Sequence, residues 1–127
     1  MKYYEIINLQ DLSGLDYIPA ENVKIEFILR YMDGAVNGIL LLDGEERLFE
    51  AMFSFEEDNY FIPRRYLILE APKNYLELMK LKLVEDRERV SQGYGYVRSE
   101  SATKIMNEEP DISECAVLGW TYLPSVD

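Results

Sequence analysis

Residues 23–44 read VKIEFILRYMDGAVNGILLLDG, and this stretch determines the fold that we predict. Apolar side chains recur at every second position of its first part, at Val23, Ile25, Phe27, Leu29 and Tyr31. Because successive side chains of a strand point to opposite faces, this spacing predicts a strand with one apolar face. Asp33-Gly34 and Asp43-Gly44 follow, and Asp-Gly between apolar runs predicts tight hairpin turns.

Further strands are predicted on both sides of this stretch. Residues 47–55 form an apolar face at their odd positions from Phe49 onward, which are Phe49, Ala51, Phe53 and Phe55, with Glu50 and Ser54 pointing outward. We also predict three further strands. One covers residues 66–70, with a start near Tyr60, and the other two cover residues 116–123 and 2–9. Pro63 donates no ladder hydrogen bond, so it predicts a sheet edge or a break. Successive strands with short turns indicate an antiparallel meander.

A helix is predicted over residues 74–91. Asn74 and Glu77 fit a capping box, in which each side chain satisfies one backbone donor of the first turn. Leu76, Met79 and Leu83 fall on one helical face, and Gly93 is a suitable stop. Residues 79–83 also alternate, which leaves a strand there as an open alternative. A second, short helix is predicted over residues 102–107.

These elements predict an α+β fold. We expect an antiparallel, strongly curved or partly closed sheet of about five to six strands, with one main helix packed on it. The 127 residues suit a single domain over residues 1–127. A chain of this length buries enough apolar surface to fold without a metal or a disulfide.

The segment Tyr31-Met32-Asp33-Gly34-Ala35-Val36-Asn37-Gly38 resembles a Tyr-x-Asp-Gly-x-x-x-Gly hairpin of small uncharacterised bacterial single-domain proteins. The resemblance covers about residues 23–50 and consists of generic turn chemistry. It implies a strand-turn-strand fold in this region and brings no activity with it.

Composition restricts the chemistry of this protein. The chain has 24 acidic and 13 basic residues, a net charge of −11, and no histidine. This charge favours cationic partners and opposes direct nucleic-acid binding. With one cysteine, Cys115, no internal disulfide forms, and we expect a cytoplasmic protein. The longest aliphatic run, residues 39–42, is far shorter than the roughly 20 residues that span a bilayer, so no membrane association is expected.

The acidic residues concentrate near predicted turns. Two groups flank the strand predicted over residues 47–55, and they are Asp43, Glu45 and Glu46 at one end and Glu56, Glu57 and Asp58 at the other. At about 3.3 Å per residue the two groups lie about 30 Å apart, so we predict two acidic tips. They are either solvated turns that maintain solubility or docking sites for a basic protein.

Tyrosine is a further binding candidate, because ten of the 127 residues are tyrosine. Tyr94 and Tyr96 alternate with glycines, and we name them as candidate binding residues, with packing inside a loop as the alternative. We expect Tyr60, Tyr66 and Tyr75 to pack the sheet against the helix, with Trp120 and Tyr122. The basic pair Arg64-Arg65 faces either an internal carboxylate or a ligand.

Neither catalysis nor metal binding has a strong signal. Without histidine, transition-metal sites and activated serine or cysteine nucleophiles lack their usual partner. Cys115 follows Glu114, whose charge disfavours a thiolate, and we predict it to be a buried apolar residue. Residues 56–59 are rich in oxygen ligands but lack the spacing of an EF-hand loop. We therefore predict no metal, no cofactor and no identifiable catalytic residues.

The leading functional hypothesis is a small acidic binding protein that engages a basic protein partner, in the manner of immunity proteins, antitoxins or nucleic-acid mimics. One alternative is a small enzyme or ligand binder that uses carboxylates and tyrosines in a curved sheet, where Glu26, Glu50 and Glu70 could line one pocket. A second alternative is a structural subunit of a larger assembly.

Overall fold

The computed structural model describes residues 1–81 and 111–123 of the chain. The chain divides into two compact units, one of residues 1–71 and 112–127 and the other of residues 72–111. The first unit contains the whole sheet. Its elements are α1 (Tyr3–Leu9), β1 (Val23–Tyr31), β2 (Ala35–Leu42), β3 (Glu45–Ala51), β4 (Phe53–Ser54), β5 (Asn59–Tyr60), β6 (Tyr66–Glu70) and β7 (Ala116–Thr121). The single domain stays a prediction.

The predicted α+β class with an antiparallel sheet is confirmed. Five strands pair in the order β1-β2-β3-β6-β7, and every pairing is antiparallel. The predicted strong curvature or partial closure is wrong, because β1 and β7 form opposite edges of an open sheet. Strands β4 and β5 form a separate two-stranded ribbon and do not extend the main sheet.

Strand β1 has the predicted bounds but not the predicted single apolar face. Its pairing with β2 is irregular at three places, between Ile25 and Phe27, between Ile28 and Arg30, and between Arg30 and Tyr31. Each irregularity shifts the alternation by one position, because a bulge changes which face the following side chain meets. Tyr31, at the end of the predicted apolar series, is therefore 73% exposed.

Both predicted Asp-Gly turns are present. Leu42 pairs directly with Glu45, so Asp43 and Gly44 form a two-residue loop, with φ angles of 52° and 81°. Positive φ at both positions is the conformation that two-residue hairpins require. Asp33 and Gly34 likewise have φ angles of 51° and 134°.

The strand predicted over residues 47–55 is wrong beyond Ala51. The backbone N–H of Met52 donates to the carbonyl of Arg65 at 2.8 Å, and the Met52 carbonyl accepts from the N–H of Phe61 at 3.4 Å. These bonds end the main sheet here and start the ribbon. The prediction that Phe55 lies on the apolar face and that Ser54 points outward is also wrong, because Phe55 is 58% exposed and Ser54 is 4% exposed. The separation of about 30 Å predicted between the two acidic tips assumed an unbroken strand, so it no longer applies.

The break predicted at Pro63 is confirmed. Strand β5 ends at Tyr60 and β6 starts at Tyr66, and the two strands belong to different sheets. The start predicted near Tyr60 is therefore a separate element. The final strand predicted over residues 116–123 is confirmed as β7, with a slightly earlier end.

The strand predicted over residues 2–9 is wrong, because Tyr3–Leu9 is the helix α1. The Glu5 carboxylate accepts a hydrogen bond from the Lys2 backbone N–H at 3.0 Å, which satisfies one free donor at the helix start. Ile6 is buried, and Gln10 ends the helix in a left-handed conformation. The strand propensity of tyrosine and isoleucine is thus overridden by burial of one helical face.

The N-terminal segment covers the outer edge of β7. The Met1 carbonyl accepts from the Val117 N–H at 2.8 Å, and the Tyr3 N–H donates to the Cys115 carbonyl at 2.9 Å. Further along, Trp120 exchanges backbone hydrogen bonds with Asp16 and Ile18 at 3.0 and 2.8 Å. A paired edge is protected against adding a further strand, so these bonds close this side of the sheet.

The core lies in the middle of the sheet and includes both of its faces. In β6, Leu67, Ile68 and Leu69 are all fully buried, although successive side chains point to opposite faces. One buried cluster comprises Val23, Ala35, Leu40, Phe49, Ala51, Tyr66 and Ile68. Tyr60 packs at its margin, while the rings of Trp120 and Tyr122 contact the Tyr17 ring in tilted arrangements, at centroid distances of 4.8 and 6.1 Å.

In the second unit, residues 73–81 are helical. The N–H groups of Tyr75 and Leu76 both donate to the Pro72 carbonyl, at 3.0 and 3.3 Å. Asn74 therefore lies within the first turn and not at its predicted capping position. Residues 79–81 are helical, and the rest of the predicted helix, with the short helix over residues 102–107, falls outside the described residues.

Candidate functional site

The first predicted acidic tip, at the β2–β3 turn, is partly neutralised by an arginine. Arg47 donates to a Glu45 carboxylate oxygen at 2.7 Å, and its other terminal nitrogen lies 3.8 Å from Glu70. Asp43 and Glu45 are exposed, while Glu46 is partly buried. Because Arg47 lies between two carboxylates, this tip offers less net negative charge than the sequence predicts.

The second predicted acidic tip is the turn that joins β4 to β5, and we call residues 53–60 the acidic hairpin. Glu56, Glu57 and Asp58 are all exposed, and none forms an ion pair with the part of the chain that the structure describes. Phe55 stands beside them with 58% of its surface exposed. The hairpin therefore presents an aromatic ring together with three carboxylates.

The acidic hairpin is held in place by Gln10, at the end of α1. The Gln10 amide nitrogen donates to the Phe53 carbonyl at 3.1 Å, and its amide oxygen accepts from the Phe55 N–H at 3.1 Å. Within the turn, the Ser54 hydroxyl accepts from the Glu57 N–H at 3.2 Å. These bonds order the hairpin before any partner binds, which reduces the entropy lost on binding.

Ring contacts connect the acidic hairpin to the sheet. Phe53 and Tyr60 meet edge to face, with centroids 5.5 Å apart, and the Arg64 guanidinium lies 4.6 Å from the Tyr60 ring. Arg64 also donates to the Ala35 carbonyl at 3.0 Å and to the Met32 carbonyl. It therefore binds main-chain oxygens and an aromatic ring, and among the described residues it does not form the ion pair with an internal carboxylate that was one of the two predicted alternatives.

A partly buried polar cluster lies around Glu50 on β3. Asn37, which is 4% exposed, donates to Glu50 at 3.2 Å and accepts from the Arg30 backbone N–H at 3.1 Å. The pKa of Tyr3 is raised well above its ordinary value, mainly by burial, with further contributions from Glu50 and Tyr60. Burial and the nearby carboxylate both disfavour the tyrosinate anion, so Tyr3 keeps its proton at neutral pH.

We predict that replacing Tyr3 with phenylalanine reduces alkaline destabilisation. Because the folded-state pKa is raised above the unfolded value of about 10, stability from neutral Tyr3 is complete below that pH and lost above it. The loss amounts to at most about 1.4 kcal/mol per pH unit for one proton. Urea unfolding between about pH 9 and 11 measures this loss.

The matched control for this experiment is Tyr31→Phe, which removes the same hydroxyl from an exposed ring. This control is expected to lose stability with pH as the unmodified protein does. Equal alkaline losses in Tyr3→Phe and Tyr31→Phe would contradict the assignment of the effect to Tyr3.

The predicted carboxylate pocket does not form. Arg47 on β3 lies opposite Glu70 on β6, so these two side chains share one face of the sheet. Glu50 lies three positions after Arg47, and because successive strand residues alternate between faces, Glu50 points to the other face. Glu50 and Glu70 therefore lie on opposite faces of the sheet. Glu26 is exposed on β1, two strands away from β3. The three carboxylates do not share one site.

The remaining candidate residues are Cys115, Tyr94 and Tyr96. Cys115 is buried as predicted, while Tyr94 and Tyr96 fall outside the described residues. Residues 1–81 and 111–123 contain no group of three side chains suited to holding a metal, and no helix there could cross a bilayer.

Searches against protein-family models, curated proteins and solved structures find no match to this chain.

Sequence reasoning missed Gln10, which orders the acidic hairpin from 45 positions away. A glutamine near the end of a short segment carries no signal for such a contact, since its partners are backbone groups brought close by folding. It also missed Asn37, although an asparagine inside an otherwise apolar run is a usable signal of a buried hydrogen bond.

Proposed function

We propose that this protein is a small acidic binding protein that engages a basic protein partner through the acidic hairpin. The observation that carries the proposal is the combination of exposed Phe55 with the three exposed carboxylates Glu56, Glu57 and Asp58 on an ordered turn. Aromatic side chains supply much of the energy at interfaces, and complementary charge accelerates encounter. Immunity proteins, antitoxins and nucleic-acid mimics engage cationic surfaces in this manner.

The overall charge supports the sign of the partner. The net charge of −11 produces a negative field around the protein, which attracts a cationic surface before contact. The β2–β3 turn contributes less to recognition, because Arg47 lies beside Glu45 and Glu70. The acidic hairpin is therefore the better supported docking element of the two predicted tips.

We predict that the triple variant Glu56→Gln, Glu57→Gln and Asp58→Asn loses capture of cationic proteins from a host lysate at low ionic strength. Removing three carboxylates at the contact is expected to slow association by about tenfold, because electrostatic steering is reduced. Immobilised protein, quantitative mass spectrometry of the bound fraction and a salt titration measure this effect.

The matched control is Asp16→Asn, Glu21→Gln and Glu77→Gln, which removes the same charge from exposed positions elsewhere. This control is expected to retain capture, and capture by the unmodified protein should weaken as salt rises. If the two triple variants recover the same cationic proteins in equal amount, the acidic hairpin is not the docking element and the proposal fails.

The enzyme or ligand-binder alternative receives less support from the geometry. It requires carboxylates that converge in a concave site, whereas Glu50 and Glu70 lie on opposite faces of an open sheet. Glu50 also accepts a hydrogen bond from buried Asn37, which is a structural role.

A further inference from the structure

Arg65, the residue just before β6, has a guanidinium that lacks a hydrogen-bond acceptor. Among the described residues its Nε atom is buried without a partner, and none of the ion pairs there involves this side chain. The residue as a whole is partly exposed, so the side chain is not closed off from solvent. A buried donor without an acceptor costs free energy, and an anion that supplies the acceptor recovers it.

The other inward-facing arginines differ from Arg65 in this respect. The Arg64 guanidinium donates to two main-chain carbonyls and lies over the Tyr60 ring. Arg47 also has a buried Nε without a partner, but its terminal nitrogens lie beside two carboxylates. Arg64 and Arg47 therefore connect parts of the fold, whereas the donors of Arg65 are left for a ligand.

The ring of Phe61 supports the Arg65 guanidinium, whose Cζ atom lies 5.0 Å from the ring centroid. Both residues are bonded through the main chain to buried Met52. The Met52 N–H donates to the Arg65 carbonyl at 2.8 Å, and the Met52 carbonyl accepts from the Phe61 N–H at 3.4 Å. A contact with the face of a ring uses none of the N–H donors, so the guanidinium is positioned and still able to bind.

We propose that Arg65, supported by Phe61, binds the carboxylate of a ligand that carries a single negative charge. The planar fork of a guanidinium matches the two oxygens of a carboxylate, and hydrogen bonds between charged groups are stronger than those between neutral groups. This site goes beyond the proposed function, which concerns a basic protein at the acidic hairpin, and it uses none of the residues assigned there.

The charge of the protein restricts the ligand to a monoanion. A net charge of −11 repels anions, and this repulsion grows with the charge of the ligand. One guanidinium compensates one negative charge, and the neighbouring Arg64 already donates to main-chain carbonyls. Inorganic phosphate, which is partly a dianion near neutral pH, is therefore expected to bind more weakly than a monocarboxylate.

Proton–nitrogen NMR of the arginine side chains tests the proposal, with sodium benzoate as the probe at constant ionic strength. The Nε–H signal of Arg65 is identified by its absence in Arg65→Lys. In the unmodified protein this signal is expected to shift saturably as benzoate rises to about 50 mM. Benzamide has the same ring with a neutral amide, and it is expected to leave the signal unchanged.

Two variants measure the contributions of the guanidinium and the ring, through the backbone amide shifts that benzoate causes. Arg65→Lys keeps the charge but loses the fork, and its affinity for benzoate is expected to fall at least about tenfold, which corresponds to about 1.4 kcal/mol. Phe61→Leu removes the ring beneath the guanidinium and is expected to weaken binding about threefold.

The matched control is Arg30→Lys, which makes the same change on an exposed arginine near the end of β1. It is expected to leave the benzoate affinity within about twofold of the unmodified protein. Circular dichroism checks that each variant is folded. N-acetylphenylalanine, a second probe, presents the carboxylate of a chain terminus, and tighter binding of this probe than of benzoate would assign the site to a peptide C-terminus.

An Arg65 Nε–H signal that benzoate leaves in place, or that benzamide shifts equally, would overturn the proposal. An unchanged affinity in folded Arg65→Lys would also overturn it, and tighter binding of phosphate than of benzoate would refute the carboxylate assignment. These outcomes are distinct from failure of the proposed function. Arg65→Lys preserves the net charge and is expected to retain capture of cationic proteins, while the triple hairpin variant is expected to retain benzoate binding.

Discussion

Replacing Gly38 with alanine is expected to destabilise this protein by about 4 kcal/mol or more, which places it among the most damaging single substitutions. A Cβ atom at Gly38 would lie 2.0 Å from the Phe27 carbonyl oxygen and 3.0 Å from the Ile28 Cα. Both are backbone atoms of the neighbouring strand β1, so no side-chain movement relieves the overlap. The β1–β2 pairing must therefore separate or shift.

Urea unfolding followed by circular dichroism measures this effect, and Gly44→Ala is the matched control. Gly44 has a φ of 81°, but a Cβ there meets no atom within 4 Å. Its replacement is expected to cost about 1–2 kcal/mol, from backbone conformation alone. If Gly38→Ala were no more destabilising than Gly44→Ala, the close approach of β1 to β2 at this position would be refuted.

The second large effect is expected from Phe49→Ala, which should reduce the free energy of unfolding by about 3–5 kcal/mol. Phe49 is fully buried in the centre of β3, and its ring meets Tyr66 edge to face at a centroid distance of 5.7 Å. Leu40 and Ile68 belong to the same buried cluster. Removing the ring leaves a cavity that the central strands cannot close.

The same substitution at an exposed site provides the comparison. Phe55→Ala removes an identical ring that is 58% exposed, and it is expected to change stability by no more than about 0.5 kcal/mol. Thermal and urea unfolding of both variants test the difference. A comparable loss in both would show that the acidic hairpin contributes to the core, contrary to the structure.

The predicted elements succeed where local chemistry decides the conformation. Asp43-Gly44 supplies two residues that adopt positive φ, so the turn and the register of β2 on β3 follow from the sequence. The bounds of β1 and the end of β6 at Glu70 also follow, because apolar and β-branched residues are flanked by turn residues.

The predicted elements fail where long-range contacts decide between conformations of similar local energy. Residues 3–9 contain tyrosine and isoleucine, which favour strands, yet burial of Ile6 selects a helix. The end of β3 at Ala51 has no turn residue to mark it. It arises because Met52 bonds to Arg65 and Phe61 in another part of the chain.

Some features of the candidate site could be predicted from the sequence, and others could not. The sequence shows Glu56, Glu57 and Asp58 as a local acidic group, and the structure places all three on an exposed turn. It does not show that Phe55 is exposed beside them, because the alternation of residues 47–55 predicts a buried ring. Nor does it show that Arg47 also lies near Glu70, since that contact depends on the pairing of β3 with β6.

The sequence by itself determined the α+β class, the antiparallel pairing, the two Asp-Gly turns and the net charge of −11. These depend on side-chain periodicity, backbone conformational freedom and composition, which act over a few residues or over the whole chain. Only the tertiary structure decided that the sheet stays open, that residues 3–9 are helical and that Arg64 lies over the Tyr60 ring of the acidic hairpin. Those outcomes depend on which distant groups meet, and hydrogen bonds such as that between Gln10 and Phe55 have no local signature.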